Sequence, residues 1–389
     1  MADGWESRLE RWRQAGLIDP AGAEAIRAWE RAQPGRPRLR VPVLVAVALG
    51  GVLVATGLLL FVSTHWAALG PGQRFGLLLA LVVGLHGGAA AVERRFPPLA
   101  VSLHGVGTVT LGAGIFLAGQ LFHLEAHWPL GLLLWAIGAG LGWALLGQWP
   151  QLALLALLAP AWLISEWQRA VEAAADGLQG GSGDPTALAA PVAGLLLLSL
   201  CYLGAPTGPG PAAPARRVLL WLGGLGLLPA GLLWHLFTHW APGTPPPPLP
   251  LPLALCGWAV ALGTPLLLGL RLRGRRTWPL GVAIGWMLPG LAMAWGSHQG
   301  AGVFTYLWWA VGGLLLVAWG VMEGRSERVN FGAALIAIDV MTFYVSQVMD
   351  SLGRSASLVG LGVLFLGGGW GLELLRRRLV ARAIARGTP

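Results

Sequence analysis

Apolar residues in this chain come in long runs, separated by short stretches that are polar, charged or rich in Pro and Gly. A run of about 20 residues is long enough to cross a bilayer as a helix, and a lipid-exposed segment can satisfy its own backbone only as a helix. Pro160 interrupts the fifth run, and Pro191 sits near the start of the sixth. The pattern predicts twelve transmembrane helices, at residues 41–62, 75–92, 99–121, 130–147, 150–166, 187–204, 217–237, 251–270, 278–296, 303–322, 330–348 and 356–375.

The first forty residues show another pattern, in which apolar residues recur at helical spacing between charged ones. Leu9 and Trp12 lie on one helical stripe, and Asp19-Pro20 is an N-cap followed by Pro at the first position of a second helix. Two short amphipathic helices bury little surface by themselves. Residues 1–40 are therefore predicted to form a cytoplasmic helical module that docks on a protein partner, on cytoplasmic loops or on the membrane surface.

Composition agrees with a membrane protein. Hydrophobic residues make up 55% of the 389 and charged residues 11%, with a mean hydropathy of +0.66. A soluble chain carries about a quarter charged residues. The predicted fold class is all-α, a polytopic helical bundle whose main partner is the lipid bilayer. Cys201 and Cys256 both fall inside predicted spans, where we expect them to pack rather than to form a disulfide or bind a metal.

The net charge of +9 is explained by the distribution of arginine, since all 26 basic residues are Arg. With twelve spans and a cytoplasmic N-terminus, 23 of them lie on the cytoplasmic side. Only Arg74, Arg169 and Arg354 lie outside. This asymmetry follows the positive-inside rule. It predicts an inner (cytoplasmic) membrane location with both termini in the cytoplasm, and it removes the reason to expect a nucleic-acid partner.

Two short motifs recur at one offset. Residues 64–67 (Thr-His-Trp-Ala) return at 238–241, and residues 135–138 (Trp-Ala-Ile-Gly) return as Trp-Ala-Val-Gly at 309–312, in both cases 174 residues later. The pattern predicts an internal duplication with six spans in each half. Because six is even, both halves enter the membrane in the same direction, which predicts a parallel repeat.

The predicted domain organisation follows from the module, the duplication and the Pro/Gly/Ala-rich stretch 205–214. It consists of the helical module 1–40, a first membrane half 41–205, a second membrane half 216–376 and a basic cytoplasmic tail 377–389.

One group of polar residues lies at the predicted outer ends of the helices. His and carboxylate side chains could bind a zinc-like ion, but their spacing matches no defined metal motif. The same residues fit a polar substrate contact, and they also fit the ordinary enrichment of Trp and other amphipathic side chains at membrane interfaces. This predicted outer cluster contains His65, Trp66, Gln120, His123, Glu125, His127, His239, Trp240 and His298.

Asp339 is the sharpest candidate for chemistry, because it lies near the middle of a predicted span. An ionisable group at that depth costs at least ~2.5 kcal/mol unless it is paired or faces water, and such groups serve in proton relays and substrate sites. The alternative is a protonated Asp that hydrogen-bonds a neighbouring backbone and holds helices together. Further substrate or proton candidates are Thr342, Tyr344 and Gln347 on the same helix, and His86 and His104 in the second and third spans, where they could face one another.

Signatures of soluble enzymes are missing from the sequence. It has no phosphate-binding loop ending in Gly-Lys-Ser/Thr, no His-Glu-x-x-His and no Gly-x-Ser-x-Gly. No catalytic residue and no cofactor is therefore assigned. Three hypotheses stay open: a transporter or permease for a small molecule or ion with a site near Asp339, a non-transporting scaffold or sensor that docks a cytoplasmic protein through residues 1–40, and a membrane enzyme that uses the outer His/Glu residues.

Several short segments carry a resemblance to a known family. They are Ala15-Gly16-Leu17-Ile18-Asp19-Pro20, His65-Trp66, Gly119-Gln120, His123-Leu124, Trp128-Pro129, Leu134-Trp135-Ala136, Asn330, Asp339, Tyr344, Arg354-Ser355 and Arg376-Arg377-Arg378. With them the chain resembles the bacterial predicted membrane proteins grouped as domain of unknown function two-one-five-seven. Between about 170 and 300 the likeness is in hydropathy alone. The resemblance implies a helical membrane fold, and because the family has no established function it implies no activity.

Overall fold

The structure is a computed structural model. It describes residues 3–32, 53, 69–121, 127–176, 185–206, 213–239, 249–296 and 303–348, with short pieces between 359 and 371. Every regular element in this described part of the chain is a helix, which confirms the predicted all-helical class. The chain divides into two units, Met1–Arg74 and Phe75–Pro389.

The first unit contains two short helices, α1 (Asp3–Gln14) and α2 (Pro20–Ala32). The Asp19 carboxylate accepts a hydrogen bond at 2.9 Å from the backbone N–H of Gly22, so Asp19 is the N-cap that the sequence predicts. Leu9 is buried on α1. The two helices are thus present where the amphipathic pattern placed them.

Ion pairs on the outside of this helix pair involve Glu10. Arg13, on the same helix, donates hydrogen bonds to the Glu10 carboxylate, and Arg27 of α2 lies 3.5 Å from it. The hydrogen bonds from Arg13 lower the pKa of Glu10 below its ordinary value. Since these groups are exposed to solvent, the pairs add little stability.

The rest of the described chain forms ten long helices. They are α3 (Pro71–Val92), α4 (Pro97–Leu121), α5 (Pro129–Leu146), α6 (Trp149–Asp176), α7 (Pro185–Leu203), α8 (Ala213–His239), α9 (Leu251–Arg273), α10 (Trp278–Gly296), α11 (Val303–Met322) and α12 (Ser326–Phe343). A 3-10 turn, Gly274–Thr277, joins α9 to α10, and a π-helical turn, Tyr344–Val348, continues α12.

These ten helices coincide with the second to eleventh predicted spans. Within the described residues, eight helical stretches are long and apolar enough to cross a membrane. One of them, Leu251–Ala292, contains most of α9 and α10, and α7 carries a shorter apolar stretch, Ala187–Leu203. The predicted spans 41–62 and 356–375 lie almost entirely outside the described residues. The described chain is that of a polytopic membrane protein.

Five of the ten long helices contain an internal proline, and in α6 and α7 a side chain of the other helix compensates for it. Proline lacks an N–H, so the carbonyl four residues earlier loses its helical partner. Pro160 in α6 frees the carbonyl of Ala156, which instead accepts a hydrogen bond from the Tyr202 hydroxyl of α7 at 3.2 Å. With that carbonyl satisfied, α6 continues to Asp176, ten residues beyond the predicted end of the span at 166.

A reciprocal hydrogen bond runs from a side chain of α6 to a carbonyl of α7. Pro191 in α7 frees the carbonyl of Ala187, which accepts a hydrogen bond from the Trp167 indole of α6 at 2.8 Å. Side chains of neighbouring helices commonly satisfy such carbonyls in membrane proteins. The two carbonyls that the prolines free therefore link α6 and α7 through hydrogen bonds.

The most extensive buried packing surrounds α7 and α8. Half of an 18-residue apolar window within Ala213–Leu236 of α8 is buried, against 6% of the corresponding window in α3. A Cβ at Gly223 of α8 would overlap the α7 backbone at Ser199 and Leu203, so glycine permits the close approach of these helices. Most of the buried polar side chains lie on α8, α11 and α12, and on α4, α6 and α7.

Candidate functional site

Asp339 lies in α12, within the stretch Ser326–Ser346 that is apolar enough to span a membrane. The residue is 6% exposed. Its Oδ1 atom has no hydrogen-bond partner among the residues that the structure describes. A buried carboxyl group without compensating hydrogen bonds is costly, and more so at membrane depth. Asp339 is therefore an exception to the pairing that buried polar groups normally show.

The packing of α12 against α11 fixes the level of Asp339 in the bundle. The two helices run antiparallel, with Ile336 against Gly313 and the Phe343 ring 5.2 Å from the Tyr306 ring. Asp339 comes between Ile336 and Phe343 in the sequence. It therefore lies at the level of the α11 turn between Tyr306 and Gly313.

Helix α8 brings a histidine to the same level. α12 runs parallel to α8, and a Cβ at Gly231 would lie 3.2 Å from Leu335. One helical turn further along, α8 carries His235 and α12 carries Asp339. Both residues are buried.

Aromatic and hydroxyl groups surround this level. The His235 ring lies 5.3 Å from the Tyr306 ring and 5.0 Å from the Trp309 ring, measured between centroids. The Tyr306 hydroxyl and the Ser346 hydroxyl are 2.6 Å apart and share a hydrogen bond. We call Asp339, His235, Tyr306 and Trp309, which lie at about the same level of α8, α11 and α12, the Asp339 cluster.

The other candidates on this helix are placed differently. The Thr342 hydroxyl donates a hydrogen bond at 2.8 Å to the carbonyl of Ile338, one turn back on its own helix. Tyr344 is buried, and a Cβ at Gly360 would lie 2.5 Å from its hydroxyl oxygen. The side chain of Gln347 lies outside the described residues. The sequence suggested partners for Asp339 on its own helix, whereas His235, Tyr306 and Trp309 lie on α8 and α11.

His86 of α3 and His104 of α4 face each other, as their predicted positions suggested. Their Nδ1 atoms are 2.8 Å apart and their ring centroids 5.1 Å apart. A hydrogen bond between two imidazole nitrogens requires one donor and one acceptor, so a single proton lies between the rings. If both rings were protonated, both nitrogens would be donors and the bond would be lost. The role of this pair stays a prediction.

Further polar groups tie the His pair to α5 and α6. The backbone carbonyl of His104 accepts hydrogen bonds from the Gln151 amide at 3.2 Å and from the Thr108 hydroxyl at 3.1 Å. The Trp135 indole donates to the Thr108 carbonyl at 2.8 Å. Gln151 and His104 are buried. Most of these bonds serve helix packing.

Two members of the predicted outer cluster have described side chains, Gln120 and His127. The Nε2 atom of His127 lies 2.8 Å from a carboxylate oxygen of Glu166, to which the Trp162 indole also donates at 3.0 Å. Gln120 and His127 help to line a groove of about 540 Å³ between α3, α4 and α5. The sequence did not select Glu166, because it lies 39 residues from His127.

The rest of the outer cluster falls outside the described residues. This holds for His65, Trp66, His123, Glu125, Trp240 and His298, and for the side chain of His239. Within the described part of the chain, no group of three or more His, Cys, Asp or Glu side chains is placed to hold a metal ion.

Sequence reasoning missed an ion-pair cluster around Glu323, in the turn between α11 and α12. One carboxylate oxygen accepts from Arg273 of α9 and from the Trp319 indole, the latter at 2.7 Å. The other oxygen accepts from Arg328 at 2.6 Å. Burial alone would raise the pKa of Glu323, but the hydrogen bonds from Arg328, Trp319 and Arg273 lower it to about 2.

The same cluster holds a buried arginine. Arg328 is 1% exposed, and its guanidinium lies 3.9 Å from the centre of the Trp319 ring. The turn is made by Gly324, whose φ of 66° favours glycine. From the sequence, Arg273 and Arg328 counted only toward membrane orientation, and no local pattern shows that they converge on one acid.

Comparison with known proteins supports the membrane assignment. Residues 10–153 match the family described as Predicted membrane protein (DUF2157), which confirms the predicted resemblance over that range. The matched range contains the His86–His104 pair and ends before the Asp339 cluster. No curated protein and no solved structure matches the chain.

Proposed function

We propose that this membrane protein, whose residues 10–153 match a family of predicted membrane proteins, transports a small solute or ion and that Asp339 binds and releases the coupled proton. One observation carries the proposal. A buried carboxyl group lies in a membrane-spanning stretch, and its Oδ1 atom has no hydrogen-bond partner among the described residues. Because such a group costs at least ~2.5 kcal/mol in a span, its presence favours a functional role over a structural one.

The surroundings of Asp339 favour proton exchange. His235 of α8 and Tyr306 of α11 lie at the same level, and both can take part in proton transfer. Arg325, which precedes α12, Arg328 in its first turn, and Arg216 and Arg217 near the start of α8 all lie several turns from this level. No permanent counter-ion from α8, α11 or α12 therefore stands beside the carboxyl in the described residues, and a proton or a bound cation would neutralise it.

The helix boundaries support the two-half organisation in which we place this site. Moving α5 forward by the motif offset of 174 residues gives 303–320, against the observed α11 at Val303–Met322. Moving α6 gives 323–350, against α12 and its π-helical turn, which run from Ser326 to Val348. Two matching halves related by one axis are a common construction of transporters.

The contacts also support the proposed orientation in a bacterial inner membrane. Arg273 and Arg328, which the positive-inside rule assigns to the cytoplasmic side, meet at Glu323. His127 and Glu166, which belong to outer helix ends in the same scheme, meet each other. Residues assigned to one side are thus found together.

Proton flux tests the proposal directly. We would reconstitute the full-length protein in liposomes that enclose a pH-sensitive dye, and apply a potassium diffusion potential with valinomycin. With Asp339→Asn we expect proton flux above that of empty liposomes to fall by about tenfold or more, because the amide cannot take up the proton.

The matched control is Thr342→Val, one turn away on the same helix. Since the Thr342 hydroxyl is bonded to its own backbone, we expect this variant to keep wild-type flux. Equal flux in wild type, Asp339→Asn and empty liposomes would remove the transport function proposed for Asp339.

A second candidate function is a scaffold or sensor that binds a cytoplasmic protein through residues 1–40. The observation that favours it is the exposure of Trp12 and Trp29, which are 47% and 61% exposed on α1 and α2. Large aromatic side chains of this kind are enriched in protein interfaces. Deletion of residues 1–35 separates the two functions, because a scaffold then loses its partner in cross-linking mass spectrometry while a transporter keeps its flux.

A further inference from the structure

An apolar groove of about 320 Å³ runs along α10 and α11. Part of its wall is exposed, including Trp278 at 48%, Val282 at 40% and Met322 at 67%, so the groove is open along one side. Its wall includes Trp278, Val282 and Trp286 from α10, and Leu315, Trp319 and Met322 from α11.

The two walls are fastened to each other. The Trp286 indole donates to the Trp308 carbonyl at 2.9 Å, and the Trp308 indole donates to the Trp286 carbonyl at 3.0 Å. Hydrogen bonds of this kind face no competition from water in an apolar phase. The groove is therefore formed before any occupant arrives.

One end of the groove is strongly basic. Trp278 at that end is separated from Arg275 and Arg276 by Thr277 alone, and both arginines are exposed. Trp319, also at that end, contacts Arg328 and Arg273.

The arginines at this end outnumber the acids. Glu323 pairs with Arg273 and Arg328, and Glu327 pairs with Arg325. Among the described residues, no acidic side chain pairs with Arg275 or Arg276. This end of the apolar groove therefore carries a net positive charge.

The dimensions of the groove fit a single chain of an amphiphile. Its lining extends along α11 from Trp309 to Met322, which is about 20 Å at 1.5 Å per residue. That length compares with half of a hydrocarbon core of about 30 Å. A helix with side chains is about 10 Å across and does not fit a volume of about 320 Å³ over this length.

We infer that this groove is a binding site for an anionic phospholipid, whose phosphate pairs with Arg275 and Arg276 and whose acyl chain lies between α10 and α11. The guanidinium group suits a phosphate because it donates two parallel hydrogen bonds to it. The apolar wall selects a lipid over a soluble anion. The site is independent of the proton-binding role proposed for Asp339.

Lipid retention measured by native mass spectrometry tests the site. The full-length protein is purified in detergent and mixed with equal amounts of phosphatidylglycerol and phosphatidylcholine of the same chain length. We expect a preference for phosphatidylglycerol of about tenfold or more, since each of the two basic residues near an anionic headgroup contributes about a fivefold factor.

Two variants address the two parts of the site, and each has a matched control. The double variant Arg275→Gln with Arg276→Gln is expected to abolish the preference, whereas Arg94→Gln with Arg95→Gln, another exposed pair between α3 and α4, is expected to keep it. Val282→Trp fills the groove and is expected to lower retention of both lipids about fivefold or more, since the chain loses its apolar contacts. Leu314→Trp, exposed on α11 outside the groove, is expected to leave retention unchanged.

All of these substitutions change exposed side chains, and a single gel-filtration peak verifies that each variant is folded. Equal retention of the two lipids by the wild type would overturn the inference, as would an equal loss in both arginine pairs. Stabilisation by inorganic phosphate alone, unaffected by Val282→Trp, would show a soluble-anion site and would also overturn it.

Discussion

Two acidic residues on the same helical hairpin have opposite environments. Glu323 accepts hydrogen bonds from Arg273, Trp319 and Arg328, although 28% of its side chain is exposed. Asp339 is 6% exposed and has no partner at Oδ1 among the described residues. Partners, and not depth alone, therefore decide whether a buried charge is part of the structure or is available for chemistry.

The difference has an energetic meaning. Removing one member of a buried ion pair leaves the other charge uncompensated, which is strongly destabilising. Removing an acid whose Oδ1 atom has no partner among the described residues leaves no described charge uncompensated. Removing the charge should therefore lower the free energy of unfolding at Glu323 and raise it at Asp339.

The largest effect is expected for Glu323→Ala. This change leaves Arg328, which is 1% exposed, without its acidic partner, and we expect the free energy of unfolding to fall by about 3 kcal/mol. The measurement is unfolding of the detergent-solubilised protein with increasing SDS.

Glu327→Ala is the matched control for this measurement. Glu327 is an acid of the same turn that pairs with Arg325 at 3.4 Å, and its side chain is 38% exposed. We expect a loss below about 1 kcal/mol, as for exposed pairs. A loss as small as this in Glu323→Ala would contradict the assignment of Glu323 as the centre of the cluster.

Acid should weaken the wild type through the same residue. The pKa of Glu323 is lowered from 4.5 to about 2 in the folded protein, so its stabilising effect is complete above about pH 4.5 and is lost as the pH falls toward 2. After allowing for solvent screening of a partly exposed group, we expect a loss of about 2 kcal/mol over this window. Melting temperatures recorded between pH 6 and pH 3 should fall more steeply in the wild type than in Glu323→Ala.

The smallest effect is expected for Asp339→Asn, and its sign is reversed. Replacing this buried carboxyl group, whose Oδ1 atom has no partner among the described residues, with a neutral amide should raise the free energy of unfolding by about 1 kcal/mol at pH 8. The measurement is again unfolding in SDS. A loss of about 2 kcal/mol or more would mean that Asp339 holds helices together, which is the alternative that the sequence left open.

The sequence predicted helices well because their length is set by the membrane. α5 was expected at 130–147 and is observed at Pro129–Leu146, since a run of apolar residues bounded by Pro and Gly leaves little freedom. α6 was expected to end at 166 and continues to Asp176. The prediction ended this helix where the apolar run ends, whereas the helix continues through the more polar residues that follow.

The sites were less predictable, because their residues meet across long separations. Asp339 and the facing of His86 with His104 could be proposed from polar residues in apolar runs. The neighbours of Asp339 on α8 and α11, and the partner that Glu166 provides for His127, depend on which helices pack together. A single sequence does not show that Arg273 and Glu323, which are 50 residues apart, are in contact.

The reciprocal proline contacts of α6 and α7 bear on how the protein is made. Each helix has a backbone carbonyl that only the other helix satisfies, Ala156 through Tyr202 and Ala187 through Trp167. An unsatisfied carbonyl costs several kcal/mol in the hydrocarbon phase. During biosynthesis the two segments should therefore leave the insertion machinery together as a hairpin, and neither should partition stably into lipid as a solitary helix.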